Sequence, residues 1–201
     1  DNSLKELGFH RDDITDVVLT HLHFDHCGGS IEWNDDRSKY RPAFKNAIFW
    51  SNEQHWQHAL NSNPREKASF LTENIVPIEE SGQLKFADKA TDVADFINLR
   101  TVFGHTEAMM LPQINYKGQT IVFCADLIPS LGHLPVNYVM AYDIKPLESM
   151  RDRQVFLDEA ISKNYILFFE HDPVNECCTV TKNERGTFVA DKVFKLSDVV
   201  G

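Results

Sequence analysis

Four short apolar runs in this chain stop at a histidine or an aspartate, and that recurrence limits the fold more than any other feature of the sequence. Residues 16–20 (Asp-Val-Val-Leu-Thr) run into His21, residues 96–102 lead to Gly104-His105, residues 120–125 end at Asp126, and residues 165–169 give way to Glu170-His171-Asp172-Pro173. Short runs rich in β-branched and aromatic residues read as buried strands. Strand ends are rigid, and the loops beyond them can point polar groups into one cleft without burying unsatisfied backbone. Residues 47–50 predict a further strand. Lys117-Gly118 is expected to turn a hairpin between Met109–Tyr116 and residues 120–125, and Glu184-Arg185-Gly186 to turn a last one. Helices are predicted up to about Asp13, from the Asn52 cap through Trp56 and Leu60, over residues 64–71, and over Pro146–Lys163. In the last of these, Leu147, Met150, Val155, Leu157 and Ile161 keep an approximate helical spacing. The polar stretch 34–41 is expected to be a loop. The class is α/β, with sheets covered by helices, and 201 residues argue for a single domain over 1–201.

Composition narrows the partners. A formal charge of −10 repels phosphate backbones and anionic lipid, so nucleic acid and membrane surfaces are disfavoured and a small-molecule substrate is expected. A homodimer is the one assembly considered. No apolar stretch approaches the roughly 20 residues that span a bilayer, and Asp1-Asn2-Ser3-Leu4-Lys5 lacks the apolar core of a signal peptide. The cysteines Cys27, Cys124, Cys177 and Cys178 follow no zinc-ribbon or CxxC spacing, and neighbours such as the last two bridge only under strain. A reducing cytoplasm is the provisional compartment.

The polar residues at the strand ends form a ligand set for borderline cations, which favour neutral imidazole and carboxylate and keep a position open for water. In His21-Leu22-His23-Phe24-Asp25-His26, alternate residues of an extended segment share one side, so His21 and His23 suit one ion, while Asp25 and His26 curl toward a second. His105, Asp126 and His171 complete seven ligands for two ions.

This pattern resembles the metallo-β-lactamase superfamily, whose HxHxDH signature is followed by a histidine, a bridging aspartate and a final histidine. The resemblance implies an αββα sandwich in which His21, His23 and His105 bind a first metal, Asp25, His26 and His171 a second, and Asp126 bridges. Two divalent ions are implied, zinc first, with manganese, iron or cobalt as alternatives. The family opens with several strands before HxHxDH, whereas here the motif begins at His21, so the first N-terminal strands are expected to be absent and the domain truncated. The stretch Ala125-Asp126-Leu127-Ile128-Pro129-Ser130, with His133 and Val139-Met140-Ala141-Tyr142-Asp143, is similar to the branch of N-acyl-homoserine lactonases and methyl-parathion hydrolase-like enzymes. That branch implies a hydrolase in which a metal-bridging hydroxide attacks a lactone or ester carbonyl, with Asp25 or Asp126 shuttling the proton. Phosphotriesterase or thioesterase activity is the alternative, and a non-catalytic interaction domain is a third reading.

Two departures stand out. The best-studied lactonases carry a tyrosine three residues after the bridging aspartate, where this chain has Pro129, which leaves His133, Tyr138 and Tyr142 as substrate-pocket candidates. The usual GHTPG reads Gly104-His105-Thr106-Glu107-Ala108, which keeps the ligand and is expected to alter the turn after it. His55 and His58 share a helical face with nothing converging on them and are expected to be solvent-exposed. Cys27 is expected to be a small buried packing residue, and Phe44, Phe49, Trp50, Trp56 and Phe70 to be core.

Overall fold

The computed structural model describes residues 2–87 and 93–201. The chain divides into two compact units, Asp1–Asp88 and Lys89–Gly201, which are taken in turn.

The first unit runs α1 (Asn2–Glu6), β1 (Asp16–Val18), α2 (Phe24–Cys27), β2 (Ile31–Trp33), β3 (Tyr40–Pro42), β4 (Ile48–Ser51), α3 (Glu53–Leu60), α4 (Thr72–Glu80) and β5 (Leu84–Phe86). Strands β1, β4 and β5 form a three-stranded sheet in the order β1-β4-β5, parallel throughout, with Val17 opposite Phe49 and Phe49 opposite Leu84. Because every strand points the same way, the chain leaves β1 toward His21 on the edge where β4 leaves toward α3. Leu19, Leu22, Phe49, Trp56, Phe70, Ile75 and Ile78 pack into one buried core, with Phe44 partly buried against it. The aromatic residues are thus core, as expected. Asn52 caps α3 as read from the sequence, its side chain accepting the His55 amide at 2.7 Å.

Two expectations fail in this unit, and one helix was not expected. Residues 64–71 form turns rather than a helix. The Asn63 side chain accepts the amides of Arg65 and Glu66 at 2.9 and 3.2 Å, a local alternative that competes with continued helix. The helix comes later, as α4, and contains Pro77, whose usual role as a breaker hid it. Stretch 34–41 is mostly the tip of the β2–β3 hairpin, but Tyr40 and Arg41 belong to β3, where the Tyr40 ring stacks on Trp33 at 4.0 Å.

The second unit runs β6 (Ile97–Val102), β7 (Met109–Tyr116), β8 (Gln119–Phe123), α5 (Pro146–Lys163), β9 (Ile166–Phe168), β10 (Cys177–Lys182), β11 (Phe188–Phe194) and α6 (Ser197–Val200). Its six strands lie in the order β11-β10-β9-β8-β7-β6. All neighbours are antiparallel except β8 and β9, the pair that α5 connects. Adjacent residues face opposite sides, which sorts the sheet into two apolar layers. Val122, Leu167 and Cys178 join one core with Phe156, Leu157 and Ala160 of α5, whereas Ile121, Ile166 and Cys177 pack on the other face beside Phe194 and Val199. The neighbouring cysteines therefore lie on opposite faces, and all four thiols are free and buried. Helix α5 has the predicted bounds, with Pro146 at its first turn and Asn164 ending it in the left-handed conformation. Lys117 and Gly118, both at positive φ, close the predicted β7–β8 hairpin.

Direction is what matters for the site. Since β7 is antiparallel to both β6 and β8, and β9 is parallel to β8, strands β6, β8 and β9 all end on one edge of the sheet. Ligands of open α/β sheets sit at such carboxyl ends.

Candidate metal centre

The first unit contributes His21, His23, Asp25 and His26. Leu19 continues the line of β1, its amide donating to the Trp50 carbonyl at 2.9 Å. The chain then turns into α2 with His23 at the N-cap, and the His23 carbonyl accepts the amides of His26 and Cys27 at 3.0 and 3.2 Å. That single turn is the curl anticipated from the sequence. His21 and His23 are buried, with rings 4.7 Å apart, and the His26 ring lies 3.9 Å from His21. Asp25 is exposed and approaches His26 at 3.5 Å. Thr20 Oγ1 lies 3.2 Å from His21 Nδ1, which directs His21 Nε2 away from that contact.

The second unit contributes His105, Asp126 and His171, each a few residues past the end of β6, β8 or β9. His105 is buried, with Nε2 3.1 Å from Asp126 Oδ2 and Nδ1 3.0 Å from Asp143 Oδ1. His171 Nε2 meets the other Asp126 oxygen at 3.3 Å. Asp126, itself buried, thus reaches two histidines through two oxygens. Burial alone would lower the His105 pKa, but Asp126 and Asp143 on its two nitrogens outweigh it and raise the imidazole to about 9. A pocket that favours positive charge between two carboxylates suits a cation.

The backbone explains why these positions are occupied as they are. Gly104 has no room for a side chain, since an added Cβ would lie 2.1 Å from Ser149 N and 2.3 Å from Ser149 Cα. The Gly104 and His105 carbonyls accept the Lys145 and Ile144 amides at 2.9 and 3.2 Å, docking the ligand turn on the start of α5. Ala108, where the family pattern has glycine, adopts φ 55°, the left-handed region that glycine favours. Ala125, next to Asp126, is also left-handed at φ 42°.

Some residues of the site escaped the sequence reading. Asp143, in sequence simply the last residue of Val139–Asp143, is 2 % exposed and holds His105 from behind. Glu170 offers a carboxylate oxygen within 4.8 Å of the Asp126 and His171 donors. His55 and His58 are not a solvent-exposed pair. His55 is fully buried, its Nε2 accepting the Leu22 amide at 2.8 Å, and His58 Nε2 lies 2.7 Å from the buried Glu66 carboxylate. Among the pocket candidates, His133 is half-buried with Nδ1 2.8 Å from Ser130 Oγ, while Tyr138 and Tyr142 are exposed. Burial first, then the Arg153 charge, lowers the His133 pKa. Arg153, fully buried in α5, donates to the carbonyls of Leu127 at 3.1 Å and Tyr138 at 2.7 Å and so ties down the loop between Asp126 and these candidates.

The donor set fits a divalent metal. The first unit offers clustered imidazoles, and the second offers imidazoles around the buried Asp126 carboxylate with His105 backed by a second carboxylate, the arrangement that fixes ring orientation at metal sites. Among the described residues, no helix is long and apolar enough to cross a membrane.

Residues 2–171 match the profile of the Metallo-beta-lactamase superfamily. No curated protein matches the chain. Among solved structures, a probable metal-dependent hydrolase from Staphylococcus aureus is 24% identical with a TM-score of 0.83, over 96% of this chain and 66% of its own. AidC, a dizinc quorum-quenching lactonase solved with a product, is 23% identical with a TM-score of 0.76, over 96% of this chain and 70% of its own. The hydrolase AbOPH of the beta lactamase superfamily is 19% identical with a TM-score of 0.78, over 97% and 68%. The chain spans about two thirds of the length of these proteins.

Proposed function

The chain belongs to the metallo-β-lactamase superfamily of metal-dependent hydrolases, and we propose that it opens lactones or esters at a dinuclear metal centre. In this reading His21, His23 and His105 would hold the first ion, Asp25, His26 and His171 the second, and Asp126 would be shared by both; zinc is the first choice. The observation that carries it is the pair of contacts at Asp126, which presents one oxygen to His105 and the other to His171. Two divalent ions, when bound, supply a water acidified toward neutrality and an electrophilic contact for the carbonyl oxygen.

The chain's own residues supply the rest. Asp143 holds His105 through Nδ1 so that Nε2 stays available as a ligand. Asp126 or Asp25 accepts the proton released as the nucleophile adds. With Pro129 where the best-studied lactonases carry a tyrosine, we take His133, the half-buried one of the three pocket candidates, as the donor toward the substrate. Its lowered pKa favours the neutral imidazole near pH 7; in the tautomer in which Nδ1 accepts from the Ser130 hydroxyl, Nε2 would carry the proton that steadies the leaving alkoxide. Arg153 fixes the loop that carries it.

N-acyl-homoserine lactones are the proposed substrate class, supported by the similarity to AidC and by motifs shared with the lactonase branch. The test combines elemental analysis with hydrolysis of N-hexanoyl-homoserine lactone, paraoxon and an acyl thioester by the zinc-loaded protein. The reading requires close to two ions per chain and turnover of the lactone ahead of the other two. Active protein without metal ends the dinuclear proposal, and preference for paraoxon or the thioester replaces the substrate class.

A further inference from the structure

A layer of buried polar side chains stands behind the His21–His26 motif, and the proposed ligand set leaves it unused. Glu66 is 2 % exposed. Its Oε2 lies 2.7 Å from His58 Nε2 and 2.5 Å from Asn63 Nδ2, and its Oε1 lies 3.9 Å from His23 Nε2. The segment that carries it is fastened to the motif's backbone, because the Phe24 amide donates to the Ser69 carbonyl at 2.9 Å and the Ser69 amide to the Glu66 carbonyl at 2.7 Å. The Phe70 ring closes the side, 4.8 Å from the His23 ring and 5.9 Å from those of His55 and His58. A carboxylate is expensive to bury unless charges or hydrogen bonds compensate it, so a site that keeps one here needs a reason.

His23 has two ring nitrogens, and the one nearer Glu66 is Nε2. An imidazole that binds a cation through one nitrogen becomes a stronger N–H donor at the other, and a carboxylate there fixes both tautomer and ring plane. The second unit shows the closed form of such a pair, with Asp143 hydrogen-bonded behind His105 at 3.0 Å, whereas Glu66 stands at ion-pair distance, 3.9 Å, from His23. We propose that Glu66, anchored by His58 and Asn63, is a positioning residue that presents Oε1 to His23 Nε2 and thereby turns His23 Nδ1 toward the metal. The proposal rests on the assignment of His23 as a ligand made above. It also gives His58 a task, as the group that fixes the far oxygen of Glu66.

The test is metal binding by Glu66→Gln, which keeps the shape and removes the charge. Zinc affinity is read by competition with a chromophoric chelator, and the site by the visible spectrum of the cobalt-substituted protein, with urea unfolding of the metal-free proteins as the control for folding. The expected result is a 10- to 100-fold loss of affinity and a changed cobalt spectrum at a near-native unfolding midpoint. Wild-type affinity with an unchanged spectrum overturns the proposal. Should Glu66→Gln fail to fold, Glu66→Asp keeps the charge but draws the carboxylate back by one methylene. Weakened zinc binding in that variant supports the role, and unchanged binding overturns it. A wild-type protein that takes up no zinc or cobalt is a different failure, since it removes the ligand assignment itself and this proposal with it.

Discussion

Replacing Gly104 by alanine adds one methyl group at a place where the structure has no space for it. The new Cβ would lie 2.1 Å from Ser149 N, and ordinary contact begins near 3.4 Å, so backbone must retreat by about 1.3 Å. The clash is with main-chain atoms of α5, which cannot rotate away as a side chain can. Overpacking of this kind costs about 1–3 kcal/mol, sometimes more. For a domain of this size each kcal/mol corresponds to roughly 2–4 °C of melting temperature, so a fall of about 2–12 °C is expected in thermal unfolding of the metal-free protein. The same shift displaces His105, and a misplacement near 1 Å can cost on the order of 100-fold in rate. Ser149→Gly supplies an internal check. It removes Oγ, 2.3 Å from the added carbon, but leaves N and Cα in place, so the double variant should remain destabilised. A Gly104→Ala protein with unchanged melting temperature, or full rescue by Ser149→Gly, would refute the reasoning.

Other expectations follow from buried charge and buried thiols. Arg153→Met strips the carbonyls of Leu127 and Tyr138 of a charged donor, and at about 1.5–3 kcal/mol for each such bond, urea unfolding should show a loss of at least about 3 kcal/mol. Glu159 is held at about 2, chiefly by Lys163 and against the opposing effect of burial, with Arg100 and Tyr165 assisting. Its ordinary value is 4.5, so the unfolded chain takes up the proton first as the pH falls. The stabilisation is therefore complete above about pH 4.5 and is lost toward pH 2, and Glu159→Gln should flatten that part of the pH–stability curve measured by circular dichroism. Burial raises the thiols of Cys177 and Cys178 to about 11 and 12 and that of Cys124 well above the ordinary range, so native protein should react slowly with a disulfide reagent and all four cysteines should react once it is unfolded.

Much of this was legible in the sequence because local chemistry set it. Pro146 and the helical spacing after it gave the bounds of α5, and Lys117-Gly118 gave the β7–β8 turn. The seven proposed ligands stood out because they follow strand ends in a dense, ordered motif. Glu66 and Asp143 did not, since 43 and 38 residues separate them from the histidines they back, and only packing brings them together. His55 and His58 were misjudged for a related reason. Their spacing marks one face of α3 without saying that Leu22, Glu66 and Phe70 cover it. Pro77 concealed α4, and the Asn63 side chain diverted residues 64–71 from helix to turns.

The shared heading of β6, β8 and β9 divides the labour between the two rims of their sheet. One rim carries His105, Asp126 and His171, where slipping a single strand by one residue would carry a ligand roughly 3.3 Å out of place. The opposite rim carries, among the described residues, the α5–β9 turn at Asn164 and the tight bends at Lys117–Gly118 and at 183–187. Insertions, tags or reporter fusions grafted at those bends should leave the chemistry untouched, which makes them the natural handles for tethering this protein to a surface.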